Sequence, residues 1–447
     1  MKVLSSNTST NYSSTTDRVP FPFFCLFLFY IVVWWLQLGE RLEHRFGTHV
    51  RIEAIVVAVL LVYTAIDSFR KSNDEKAGFF PFILLFLFAM LFRVVFAYKP
   101  NWAWYIFYER VLKYSVMGLL IARFVRSTQD LKWLIGIWLI SCWKGTLEGV
   151  IGGITGSLVW ENQGIMRLHG VGLWSHPNSF SQFALGPLPF CIYLFPVLKN
   201  WAYRLVILSL VVFSSYVVLY TGSRTGYLGY ILLLILTFFK LPEHYKRIFV
   251  IIFIMLAIMA VVFVPPQYKE RFRSIYSGKE KEGHSKQSRI LLYKNGFKVF
   301  IEHPFGVGIC NYRFYHEKRF GRAMDQHCLY TEALSEIGIQ GFVAFLLLLL
   351  KIDKVLRNNL EKIKYYLANS DLISNEKFSD LNILMAVTKS TQIYFWLRLF
   401  LDIFGMDLYG ITWWFVIGIA SSITYIINHE FSDLQSVDIH IQKIHDS

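Results

Sequence analysis

Twelve apolar stretches divide this chain: 21–38, 52–66, 79–98, 104–122, 131–150, 179–198, 205–221, 225–241, 248–264, 334–350, 383–404 and 409–427. Each is near the roughly 20 residues that a helix needs to cross a bilayer. Inside lipid, backbone N–H and C=O groups must pair within their own segment, which leaves helices as the spanning element. The predicted fold is therefore an all-α, polytopic membrane protein of about 12 transmembrane helices. The second stretch is short, the fourth carries Glu109, Arg110 and Lys113, and only Gly222, Ser223 and Arg224 separate the seventh from the eighth. The first lies behind a Ser/Thr-rich leader with no small-x-small pattern after Leu38, and it reads as an uncleaved anchor.

Composition supports this reading. Of 447 residues 55% are hydrophobic and only 17% charged, against about 25% in soluble domains. Disorder is excluded, and an ordinary cytosolic enzyme is disfavoured. The five cysteines show no CxxC and no metal-ligand spacing. Cys310 and Cys328 fall in one polar loop, where they are either a bridge beside His327 or two thiols.

Orientation follows from basic residues in the short loops. With the N-terminus inside, loops after even-numbered spans are cytoplasmic and carry Arg70, Lys71, Lys76, Arg123, Arg126, Lys132, Lys199, Arg204, Lys240, Lys246 and Arg247. Arg41, Arg45 and Arg51 run against the trend. Residues 351–382 read as a mixed-charge inside loop with helical character. Residues 265–328 then lie outside, with thirteen basic and six acidic residues, a net of +7 out of +14 for the whole chain. Such a loop either faces lipid headgroups or receives an anionic, phosphate-bearing substrate. Nothing suggests nucleic acid.

Ionisable residues within spans are costly and often functional. In this orientation Arg93, Glu109, Arg110, Lys113, Lys144, Glu148, Glu336, Arg398 and Asp402 all fall in the outer half. An ion pathway needs polar groups through both leaflets, whereas a cavity open to the outside needs them on one side. Snorkelling and structural pairs, such as Arg93 with Glu109, are the competing explanation.

Three motifs follow in order. The first runs from Arg167 through His169 and Gly172 to His176-Pro177-Asn178; the guanidinium suits phosphate. The second is Thr221-Gly222-Ser223-Arg224-Thr225-Gly226, where the following helix N-terminus reinforces Arg224. The third spreads over Ser288-Arg289, then His303-Pro304-Phe305-Gly306-Val307-Gly308, His327 and Glu336-Ile337-Gly338. A histidine titrates near neutrality and can move a proton. Each motif alone has a bland reading: a polar re-entry loop, a helix-end arginine, a structural histidine.

Taken together and in this order, the motifs over about residues 160–350 resemble the O-antigen ligase/polymerase superfamily of bacterial inner-membrane, GT-C-like glycan transferases. The resemblance implies transfer of a glycan from undecaprenyl diphosphate, at the periplasmic face, to lipid A–core, another lipid-linked glycan or protein. It implies no cofactor and no metal. Arg167, Arg224 and Arg289 would hold the diphosphate and His327 would act at the transfer step, with His169, His176, His303 and Glu336 as supporting candidates. Three segments follow: 1–264 with spans one to nine and the first two arginine motifs, 265–328 as a large, partly helical basic periplasmic loop, and 329–447 with the last three spans and a cytoplasmic tail. Ligase-like transfer is the leading expectation and polymerase the runner-up. A twelve-helix transporter or lipid-glycan flippase is the alternative of another class, but it would favour two similar halves and mixed-depth charges.

Overall fold

The structure is a computed structural model. It describes the backbone of residues 19–47, 51–70, 78–157, 159–162, 165–168, 174–240, 285–369 and 374–432, with isolated positions between 243 and 273. Most of the ninth predicted span and His169 lie outside the described residues, and only the backbone of Arg167 is described.

The elements in order are α1 (Phe21–Trp35), α2 (Leu38–Phe46), α3 (Ile52–Arg70), α4 (Phe80–Val95), α5 (Pro100–Ile106), a π-helical turn (Phe107–Leu112), α6 (Lys113–Phe124) and α7 (Thr128–Thr155). An antiparallel hairpin, β1 (Val159–Asn162) with β2 (Ile165–Leu168), follows and pairs Trp160 with Arg167. Then come α8 (Pro177–Leu185), α9 (Leu188–Leu194), α10 (Trp201–Tyr220) and α11 (Arg224–Lys240). The last part holds α12 (Ser285–Glu302), α13 (Tyr312–Phe320), α14 (Leu329–Glu332), a second π turn (Ala333–Ile337), α15 (Gly338–Ala368), α16 (Asn375–Leu401) and α17 (Ile411–Glu430).

Helices cover eleven of the twelve predicted stretches. By length and composition, four helical segments suffice to cross a membrane: Thr128–Thr155, Trp201–Tyr220, Leu329–Ala368 and Ile411–Glu430. Phe21–Trp35, Phe80–Val95 and Arg224–Phe239 are apolar but shorter. The sixth stretch is broken rather than continuous. Pro187 removes an amide from the ladder, and α8 ends at Leu185 before α9 begins. The hairpin is a departure from an all-helical chain, confined to the connection between α7 and α8.

One hydrophobic core runs from Phe24 to Phe431. Its tightest crossing, α6 on α17, relies on small residues: a Cβ on Gly118 would stand 2.8 Å from the Trp414 carbonyl oxygen. Without a strong hydrophobic drive in lipid, such close backbone approach supplies the packing energy. At one end of the bundle Ser127 and Asp130 form a capping box for α7, and Glu430 at the end of α17 accepts from the Thr128 amide. Arg123 pairs with Asp67 and Lys132 with Asp380 at this same end.

Candidate functional site

At the other end of the bundle most of the charges within the apolar stretches are partnered. Glu148 joins Lys144 to Arg41. Glu109 pairs with Lys113 rather than with Arg93. Arg93 instead donates to the carbonyls of Phe96 (2.8 Å) and Gly306 (2.6 Å). That second bond clamps α4 to the His303–Gly308 turn.

The turn is built against the π turn before α15. The amide of Val307 donates to the Ser335 carbonyl and that of Gly308 to the Glu336 carbonyl, each at 2.8 Å. Gly306 (φ +87°) and Gly338 (φ +69°) meet there, in backbone conformations that side chains strain to adopt. A Cβ at Gly306 would lie 2.4 Å from the Glu336 carbonyl oxygen, and one at Gly338 would lie 2.2 Å from the Phe305 carbonyl carbon. The Glu336 carboxylate is buried, accepting from the amides of Cys310 (2.7 Å) and Tyr312 (3.3 Å) and from the Tyr409 hydroxyl (2.6 Å). Glu336 thus orders the loop entering α13. His303 packs edge-on to Tyr315, with ring centres 4.7 Å apart. Among the described residues no contact joins His303 or Glu336 to His327. Cys310 and Cys328 are both free thiols.

A second cluster lies where α8, α11, α12 and α14 begin. His176 caps α8, its Nδ1 accepting from the Asn178 amide. The Asn178 side-chain oxygen accepts from Ser223 Oγ at 2.7 Å, and Ser223 Oγ in turn accepts from the Gly226 amide at 3.1 Å, capping α11. The His176-Pro177-Asn178 end of the first motif and the Gly222–Gly226 turn of the second are therefore bonded. Two helix N-termini, each carrying partial positive charge, meet beside the half-buried Arg224.

His327 reaches the surface from a closely surrounded position, within electrostatic reach of Arg289, Asp325 and His176. Desolvation, then the Arg289 charge, lowers its pKa below the ordinary histidine value, and Asp325 opposes this. A neutral imidazole at neutral pH is the form that accepts a proton. Both Arg289 and His327 hang from one stretch of backbone. Tyr293, one turn after Arg289, donates its hydroxyl to the Ile403 carbonyl at 2.9 Å; the Leu329 amide donates to the Asp402 carbonyl at 2.8 Å.

That stretch is held by a buried arginine. Arg398 of α16 donates to Gln182 of α8 at 2.8 Å, to Asp402 at 3.4 Å and to Asp407. Gln182, Tyr293 and Asp407 carried no sequence signal. Arg398 and Asp402 did, as charges in an apolar stretch, but spacing alone did not tie them to the motifs. The structure sets Arg289 and His176 within electrostatic reach of His327 and bonds the Arg224 turn to the residues after His176.

The fold and this site define a helical membrane protein that gathers cationic groups, helix N-termini and a histidine at one end of its bundle. The family model for O-antigen ligase matches residues 209–346, from α10 into α15, a stretch that includes Arg224, Arg289, His303, His327 and Glu336. The match supports the O-antigen ligase/polymerase superfamily, and with it a glycosyltransferase-type enzyme acting on lipid-linked glycan. No curated protein matches the chain.

Proposed function

We propose that this protein transfers a glycan from undecaprenyl diphosphate to an acceptor hydroxyl at the periplasmic face of a bacterial inner membrane. The observation that carries the reading is the clustering of Arg289, His176 and His327, next to two abutting helix N-termini and Arg224. Arg224, Arg289 and Arg167 receive the diphosphate. The acceptor oxygen forms a bond to the anomeric carbon as that carbon's bond to phosphate breaks. The electron pair leaves with the diphosphate, whose growing charge the preorganised guanidinium groups and helix N-termini stabilise. The neutral His327 imidazole takes the acceptor proton, a contribution of about 10²–10⁴-fold. A single displacement inverts the anomeric centre.

The reading is ligase-like, with lipid A–core or another glycan as acceptor. Glycan analysis of a deletion strain tests it: full-length chains accumulate on the carrier lipid if a ligase is missing, whereas single repeats on the usual acceptor would mean a missing polymerase. Arg224→Ala and Arg289→Ala should abolish transfer while the protein remains in the membrane, and wild-type transfer by either variant rejects the assignment of the arginines.

A further inference from the structure

A cavity of about 300 Å³ opens beside the end of α1 and is walled in part by Trp34, Tyr105 and Tyr114 together with Glu40, Glu53 and Glu109. That volume is at the lower end of the range for small-molecule sites, about 300–1,000 Å³. Two backbone irregularities border it. Gln37, between α1 and α2, is one of two non-glycine residues with positive φ among the described residues, at +51°. Glu109 sits in the π turn Phe107–Leu112. Strained positions and π turns both concentrate at functional sites.

The lining chemistry selects the occupant. Glu109 is neutralised by Lys113 and lies 3.9 Å from Arg51. Among the described residues no ion pair engages Glu40 or Glu53. Desolvation and the charges of Glu43 and Glu53 raise the Glu40 pKa, as expected for uncompensated carboxylates. The three carboxylates outnumber the two cations of the wall, Arg51 and Lys113, and carboxylates accept hydrogen bonds from hydroxyls, so the cavity is not a second cationic site. The half-buried Trp34 and the exposed Tyr105 offer ring surface to the cavity, and the buried Tyr114, edge to face with Trp34 at 5.1 Å, holds the indole in place. Aromatic faces with open carboxylate acceptors match a pyranose ring, apolar on its C–H faces and ringed by hydroxyls. The cavity also borders the other site's scaffold: Tyr114 is within electrostatic reach of Asp407, the partner of Arg398, and Trp174 near α8 donates to the Trp35 carbonyl at 3.2 Å.

We infer that this cavity binds a neutral sugar ring of the acceptor glycan, apart from the diphosphate site; the word acceptor rests on the glycan-transfer reading above. The test uses full-length protein in phosphatidylcholine nanodiscs and saturation-transfer NMR, with the methyl pyranosides of glucose, galactose, mannose and N-acetylglucosamine as probes. At least one probe should show transfer to its ring protons, lost in Glu53→Gln and in Trp34→Ala, retained in Trp34→Phe, and unchanged in Arg289→Gln. Glu53→Gln should also raise KM for the acceptor about tenfold with kcat unchanged. No transfer to any probe in the wild type, or equal transfer in Glu53→Gln, overturns the inference. So does loss of the wild-type signal when phosphatidylethanolamine replaces phosphatidylcholine, which identifies a headgroup site. Full activity of Arg289→Gln with probe binding intact would reject the diphosphate assignment and leave the sugar site standing.

Discussion

Ser223 Oγ donates to Asn178 Oδ1 over 2.7 Å, across 45 residues of chain, and so joins the first turns of α8 and α11. Its loss should matter more for alignment than for stability. Removing one such bond costs about 0.5–1.5 kcal/mol. Ser223→Ala should therefore lower kcat/KM by about two- to twelvefold, with near-normal membrane yield, and Ser223→Thr should recover most of it. Steady-state transfer assays on the two variants decide this; unchanged kinetics in Ser223→Ala would show that the junction does not set the site.

Arg398 is buried between Gln182, Asp402 and Asp407. Removing one partner of a buried pair leaves a stranded charge, at about 3–5 kcal/mol. Arg398→Met should lower the melting temperature in detergent sharply and abolish transfer. Arg398→Met combined with Asp402→Asn should regain part of the stability. An equal or lower melting temperature for the double variant would contradict the pairing.

Gly306 and Gly338 pass so closely that neither has room for a Cβ, and the atoms in the way are backbone. Gly338→Ala should therefore displace the His303–Gly308 turn and break the Arg93 bond to Gly306. Strained left-handed residues cost about 1–3 kcal/mol, and the steric clash adds to that. Thermal unfolding measured beside Gly321→Ala, where a Cβ meets nothing within 4 Å, checks this: both have positive φ, so an equal loss would dismiss the clash.

The lowered pKa of His327 sets a pH limit. The neutral form persists as pH falls through the usual histidine range, so the acid limb of kcat/KM, which reports the free enzyme, should lie below the ordinary value of 6.5. Asp325 raises that pKa, so Asp325→Asn should move the limb to still lower pH. An upward shift, or no acid limb at all, would remove His327 as the base.

Much of the helical layout was legible in the chain because apolar length is a local property. Eleven stretches coincide with helices, and the charges within them gather toward one end of the bundle. What local pattern did not carry is pairing. Arg93 and Glu109 are sequence neighbours on facing helices, yet Arg93 bonds to a carbonyl 213 residues away. Pro187 was visible, but its break of the sixth stretch into α8 and α9 competes with strong apolar character on both sides. For the site, Arg224, Arg289, His176 and His327 stood out as polar residues in motifs. Gln182 and Tyr293 did not, because an amide or a phenol within a helix carries no signal until its partner is known.

The bond from Arg398 to Gln182 spans 216 residues, which has a consequence for biogenesis. Synthesis proceeds from the N-terminus, so the translocon releases α8 long before the ribosome reaches α16. Gln182 then waits without its guanidinium, and the backbone stretch carrying Asp402 and Ile403 is not yet made. A nascent chain halted before that stretch has no backbone carbonyls on which Tyr293 and Leu329 can hang, so the anchors of the segments carrying Arg289 and His327 arrive late in translation.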